Sequence, residues 1–344
     1  MGDWFHIFFV SGIFNVELAL LMRVLAQIPG ANFGWESLQA FCENFIWPKA
    51  SKTPHQAFQN PVGETGVFTG QGSACLNLYP VLRLYLISCV MPLGLMLDVC
   101  ECMLALCLVC DVLILISSNR TTPLSLEEAL FDHATKFNNA YRVLLHRYLP
   151  KHHVARHLAE WWEKFGILVS LFTHERKHKF IKAEVKDRKT LQAFSRGVIE
   201  NLTIRHLQAL MRPLWHCGLE GESEACEEIA SRVRNLYPNA DRIMTSRVAV
   251  SGHKTYTAGD FAFVTCGMDV RLGEIWFHVQ VDNLAPMTGI CIYADVPAGS
   301  TEYIFRASPS DDPVLVPSDD LVNVAIYRKL ASGDIMALKP AELR

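Results

Sequence analysis

The sequence predicts an α+β protein, a mainly α-helical region followed by a small antiparallel β-barrel or sandwich. Up to about residue 245, apolar residues recur at helical spacing or fill long runs. Beyond it, short alternating runs are separated by Gly, Pro, Asp and Ser, as in small all-β domains. Half of the residues are hydrophobic and 19% are charged, which excludes a globally disordered chain.

Residues 1–47 open with DWFHIFFVSGIFNVELALLMRVLAQI. Its second half has helical spacing through Val16, Leu20 and Val24, whereas HIFFV fits a short buried strand equally well. Residues 48–74, rich in Pro, Gly, Ser and Thr, read as a long loop. From Leu76 to Ile116 the chain is nearly all apolar, with a break at Pro92-Leu93-Gly94. The 93–116 window is long enough to cross a bilayer. It contains Asp98, Glu101 and Asp111, however, and each acid near a bilayer centre costs about 2.5–3.5 kcal/mol. Two buried helices of a bundle are therefore expected, and no membrane.

In LSLEEALFDHATKFNNAYRVLL, Ser125 and Glu128 have capping-box spacing, and Leu130, Ala134, Phe137, Tyr141 and Leu145 form an apolar stripe. KHHVARHLAEWWEKF predicts the next helix, closed by Gly166. ILVSLF predicts a buried strand and THERKHKFIKAEVKDRK a basic helix. SRGVIENLTIRHLQALM predicts a helix ending before Pro213. The helical region thus runs over 75–245, and the β-domain over 246–344.

Charge is unevenly placed. Between Arg142 and Arg212 there are 15 Lys/Arg against 6 Asp/Glu, in a chain whose net charge is −3. Such asymmetry predicts a face made for a polyanion. Of the 11 cysteines, Cys75, Cys89, Cys100, Cys102, Cys107 and Cys110 fall in the apolar region, where they read as reduced, buried thiols. Cys107-x-x-Cys110 lacks a second ligand pair and reads as core. Asp3 stands where a secretory leader would be basic, so an intracellular protein is expected.

His174-Glu175-Arg176-Lys177-His178 spells H-E-x-x-H, the helical zinc-protease pattern. Arg176, Lys177 and Lys179 would set cations against the metal, and Ile181 and Glu184 occupy the positions of the extended motif's Gly and third His. No zinc is expected there.

Three pieces in order, KHHVARHL, then EKFGILVSLFTHERKHKFIK, then LTIRHLQAL, resemble the closing block of CACTA-like (En/Spm-type) DDE transposases. The opening DWFHIFFVSGIFNVELALL resembles the same group's Asp-x-Met-His segment, with Phe5 at the Met position. The resemblance implies an RNase H-like core interrupted by a helical insertion. It also implies Mg²⁺-dependent DNA cleavage and strand transfer by two aspartates and a glutamate. Carried over, Asp3 is the second aspartate and Glu175 the glutamate, both ligands of Mg²⁺, with His178 completing Glu-x-x-His. The first aspartate has no counterpart here, so a transposon-derived fragment that binds DNA more readily than it cuts is expected, in the nucleus.

Arg176, Lys177, Lys179, Lys182, Lys186, Arg188 and Lys189 are the expected phosphate contacts. The β-domain, where Gly259-Asp260 opens a strand, resembles small chromatin-binding barrels of the bromo-adjacent type. A chromatin or protein partner is its expected ligand, with Tyr256 and Trp276 read as core-packing aromatics first and pocket aromatics as the alternative.

Overall fold

HIFFV is helix, not strand. A computed structural model describes residues 3–30, 32–116, 120–142, 149–168, 200, 203–204, 217–251, 254–267, 269–296, 300–308 and 313–343. The chain divides into a helical unit (1–46, 51–173, 338–344) and a β-rich unit (47–50, 174–337).

In the helical unit, α1 (Trp4–Phe9) starts on Asp3, whose carboxylate accepts the Phe5 N–H at 3.0 Å. Phe5, Ile7, Phe8 and Phe9 are all buried, a run with no strand-like alternation. α2 (Ile13–Leu25) follows at once because Gly12 lets the helices meet. A Cβ there would collide with the backbone of Ile7 and Phe8. Asn15, in the first turn of α2, accepts the Gly12 N–H. It donates its own amide hydrogens to the carbonyls of Phe68 and Gly70 at 3.0 and 3.1 Å. The expected 48–74 loop is thereby pinned to α2. It is preceded by α3 (Trp35–Glu43) and contains α4 (His55–Phe58).

α5 (Gly72–Tyr85) runs on through a π turn (Leu86–Val90) and a 3₁₀ turn (Met91–Leu93), stopping at Gly94 with φ +68°. α6 (Leu97–Ile116) is apolar nearly all round, as a central helix must be. Its misfit, Asp111, is buried and accepts from Arg83 Nη2 at 2.6 Å and Tyr79 Oη at 2.9 Å, both on α5. Trp4–Leu25, Gly72–Leu93 and Leu97–Ile116 are each long and apolar enough to cross a membrane. Protein already buries 78%, 61% and 67% of those windows, so most of their apolar surface is covered within the unit.

α7 (Pro123–Tyr141) is capped by Thr122, whose hydroxyl accepts the Ser125 N–H at 3.2 Å, rather than by the expected Ser125 box. Pro123 explains the earlier start, since its fixed φ suits the first helical position. The helix expected over 151–165 is two, α8 (Pro150–Ala155) and α9 (Leu158–Phe165), the latter ending at Gly166. Among the described residues from 3 to 168 there is no β-strand, only bridge residues at Ile46, Val62 and Phe68, so an RNase H-like sheet is not among them. Most of the expected ILVSLF strand lies outside the described residues.

The β-rich unit begins its sheets well before residue 245. β1 (Cys217–Glu220) and β2 (Ser223–Glu224) precede a helix missed from sequence, α10 (Glu227–Leu236). Then come β3 (Ile243–Ser246), β4 (Val248–Ser251), β5 (Lys254–Thr257), β6 (Phe261–Cys266), β7 (Asp269–Val281) and β8 (Met287–Ile292). β9 (Ala294–Asp295), β10 (Ile304–Ser308), β11 (Pro313–Pro317), β12 (Leu321–Val324), β13 (Tyr327–Lys329) and β14 (Ile335–Leu338) complete it.

β7 organises the largest sheet. Its first half pairs antiparallel with β6 and its last residues with β3, while β8 lies along the other edge. β11 extends the sheet beyond β8, and β12 beyond β6. A register shift between Ile275 and Phe277 marks a bulge at Trp276, which is 45% exposed. Tyr256 is 1% exposed and donates to the Leu321 carbonyl at 2.7 Å, the core-packing role of the two expected for it. Gly259 takes φ +83°, and the Asp260 carboxylate beyond it accepts from the Lys49 N–H.

Within this sheet His278 is fully buried, its Nδ1 2.9 Å from Thr288 Oγ1, which lies 2.8 Å from Ser318 Oγ. Burial pulls its pKa down to about 4, with the Tyr256 backbone a weaker opposing influence. The folded unit therefore binds this proton less readily than the unfolded chain does. Its contribution is complete above the unfolded value near 6.5 and lost as pH falls to about 4.

Two outcomes follow from these buried groups. Asp111→Ala strands the Arg83 guanidinium in the helical core and should destabilise it by about 3–5 kcal/mol, read as faster hydrogen exchange on α5 and α6. The double change Arg83→Met with Asp111→Leu should recover most of that loss. In the β-rich unit, His278→Gln should remove up to about 3 kcal/mol of the stability difference between pH 7 and pH 4, followed by exchange on β7 and β8.

Candidate functional site

Glu17 lies on α2 among residues that are otherwise almost all apolar, and its side chain is fully buried. A carboxylate can sit there only if other groups neutralise and hydrogen-bond it. Three helices supply them. His133 of α7 places Nε2 3.0 Å from Glu17 Oε2, and His152 of α8 places Nε2 2.9 Å from Oε1. Cys102 of α6 points its Sγ at the same Oε2, 3.7 Å away. All four residues are buried, and the two imidazoles stack at 6.4 Å between centroids.

The partners are not equivalent. The Leu149 N–H donates to His152 Nδ1 at 3.2 Å, so that ring carries its proton on Nε2 and donates it to Glu17. Burial alone would raise the carboxyl's pKa, but the His133 and His152 imidazoles outweigh it and hold it at about 2. Glu17 is therefore ionised. Burial, reinforced by the Glu17 charge, pushes the Cys102 thiol well above its ordinary range.

Among the described residues, ligand atoms of Glu17, Cys102 and His133 lie within 4.8 Å of one another, close enough to share one metal ion. From sequence Cys102 reads only as a buried thiol, and Glu17 and His133 are not among the candidate site residues. The signal existed for one of them: Leu126, Leu130, His133, Phe137 and Tyr141 form the buried face of α7 at helical spacing, and His133 is its one imidazole.

Asp3 is buried and engaged within α1. One oxygen accepts the Phe5 N–H, and the other pairs with His6 Nδ1. Asp3 thus has a helix-capping role. Lys151, at the start of α8, closes the other end of α1. Its ammonium donates to the carbonyls of His6, Val10 and Ser11 at 3.1, 2.7 and 3.0 Å, and Ser11 itself takes φ +45°. Glu175, His174, His178 and the basic residues Arg176, Lys177, Lys179, Lys182, Lys186, Arg188 and Lys189 lie outside the described residues.

Comparison with known protein families, with curated proteins and with solved structures finds no match to this chain.

Lys151→Ala should leave three carbonyls of the α1 turn without their cation. A loss of about 1–3 kcal/mol in the helical unit is expected, measured by thermal unfolding, with Lys151→Arg recovering part of it.

Proposed function

We propose that the chain is a transposon-derived protein, a fragment of a DDE-type transposase that binds DNA rather than cutting it. One observation carries this reading. The Asp-x-x-His segment and the Lys-His segment, 145 residues apart in sequence and both part of the family resemblance, meet in space. Lys151 caps α1, and His152 bonds Glu17 one helix later. A helical insertion that returns the chain to its starting helix suits the interrupted core of that family.

Within this reading the RNase H-like strands belong to the parent fold. The β-rich unit acts as a small barrel-like module for a chromatin or protein partner, and the compartment is nuclear. Cutting in the parent family relies on Mg²⁺, which Asp3 and Glu175 would hold together with the family's first aspartate. Phosphate binding by Arg176, Lys177, Lys179, Lys182, Lys186, Arg188 and Lys189 needs no metal and depends on charge alone.

A second reading has its own observation, the three segments apolar enough to span a membrane. It requires the chain to enter membranes, and recovery of the whole protein in monodisperse form without detergent would eliminate it.

The DNA reading is tested by fluorescence anisotropy on a labelled duplex over a salt series. Binding should weaken steeply with salt, with a log–log slope of about −0.9 per phosphate contact. Lys177→Glu, Lys179→Glu and Lys182→Glu together should flatten that slope by about 3 and lower affinity more than tenfold at low salt. Glu175→Ala should leave binding unchanged. A wild-type chain that binds no duplex at low salt overturns the proposal.

A further inference from the structure

We infer that Glu17, Cys102 and His133 form a transition-metal site matched to Zn²⁺, with His152 as the positioning residue that holds the carboxylate. The inference is independent of the DNA reading. It also differs from the His174–His178 pattern, for which no zinc was expected.

The donor set decides the class of ion. A thiolate, an imidazole and a carboxylate are zinc ligands, whereas Mg²⁺ and Ca²⁺ take oxygen donors. Glu17 Oε2 is the common corner. His133 Nε2 stands 3.0 Å and Cys102 Sγ 3.7 Å from it. Those are about the edge lengths of a tetrahedron whose centre is roughly 2.0–2.3 Å from each ligand atom. The three side chains come from α2, α6 and α7, so one ion would tie three helices together.

Charge points the same way. Zn²⁺ with one carboxylate, one thiolate and a neutral imidazole sums to zero, the state a buried site favours. On binding, the Cys102 S–H gives its proton to solvent and the sulfur lone pair goes to the metal. His133 donates the lone pair of an unprotonated Nε2, releasing any proton it shared with Glu17.

His152 does not join the ligands. Its Nδ1 accepts the Leu149 N–H, so Nε2 keeps its proton and donates to Glu17 Oε1, on the far side of the carboxylate. That outer hydrogen bond orients the ligating oxygen, as carboxylates and carbonyls do for ligating histidines elsewhere. Three protein ligands are the number that open zinc sites use.

The experiment uses the full-length chain, stripped with a chelator and titrated with Co²⁺ and then Zn²⁺. One equivalent of Co²⁺ should give a thiolate-to-metal charge-transfer band in the near ultraviolet, displaced by one equivalent of Zn²⁺ and not by Mg²⁺. Cys102→Ser should abolish the band. His152→Ala should keep it and weaken Zn²⁺ affinity about 10–100-fold, an effect a purely structural residue would not confine to the metal. The double variant His174→Ala with His178→Ala should bind as the wild type does. The wild-type titration needs no variant to fold, and absence of the band there overturns the inference. So does a band that survives Cys102→Ser or is lost with His174 and His178.

Discussion

The helical unit is organised around a carboxylate that has no access to water. Glu17 sits on a helix whose buried neighbours include Phe14, Leu18, Leu20, Leu21 and Met22, and a lone charge there would cost several kcal/mol. Two imidazoles remove that penalty. Because they come from α7 and α8, the requirement to satisfy one side chain fixes where two later helices lie against α2. Packing of apolar faces brings helices together with some tolerance, whereas a hydrogen bond near 3 Å does not. Lys151 adds a second fixed point one residue away, capping the turn that follows α1.

The same solution recurs at other buried polar groups among the described residues. Asp111 would disrupt the most apolar helix but is matched by Arg83 and Tyr79 across one interface. Asn15 accepts the Gly12 N–H and donates its amide hydrogens to Phe68 and Gly70, and His278 remains neutral beside Thr288 in the sheet. A composition that is half hydrophobic leaves few polar residues inside, and Glu17, Asp111, Asn15 and His278 each tie two elements together. Such ties select one arrangement among the many that apolar helices could adopt.

Much of the architecture was legible in the sequence because it depends on local spacing. The stripe from Leu130 to Tyr141 marked α7, Gly166 marked the end of α9, and the alternating runs after residue 254 marked strands. What was not legible depends on partners distant in the chain. HIFFV reads equally as strand until Asp3 caps it, and α10 was missed because only Ala230 and Val233 of its ten residues are buried. Glu17 gives no local signal, since its partners lie 85 to 135 residues away. His133 could have been noticed as an ionisable group on an apolar face. Nothing short of the folded chain, however, brings it to Glu17.

Glu17 can satisfy its surroundings in two ways, and the same atoms serve both. Without an ion, a hydrogen bond joins His133 to Glu17 and the Cys102 S–H is directed at the same carboxylate. With a dication in place of those protons, thiolate and carboxylate both become ligands and the net charge is zero. The exchange moves protons rather than helices, because the ligand atoms already lie within 4.8 Å of one another. His152 keeps its role in both states, since its Nδ1 is held by the Leu149 N–H. A core built this way has its ligands arranged before any ion arrives, and preorganisation lowers the ordering cost that binding must overcome.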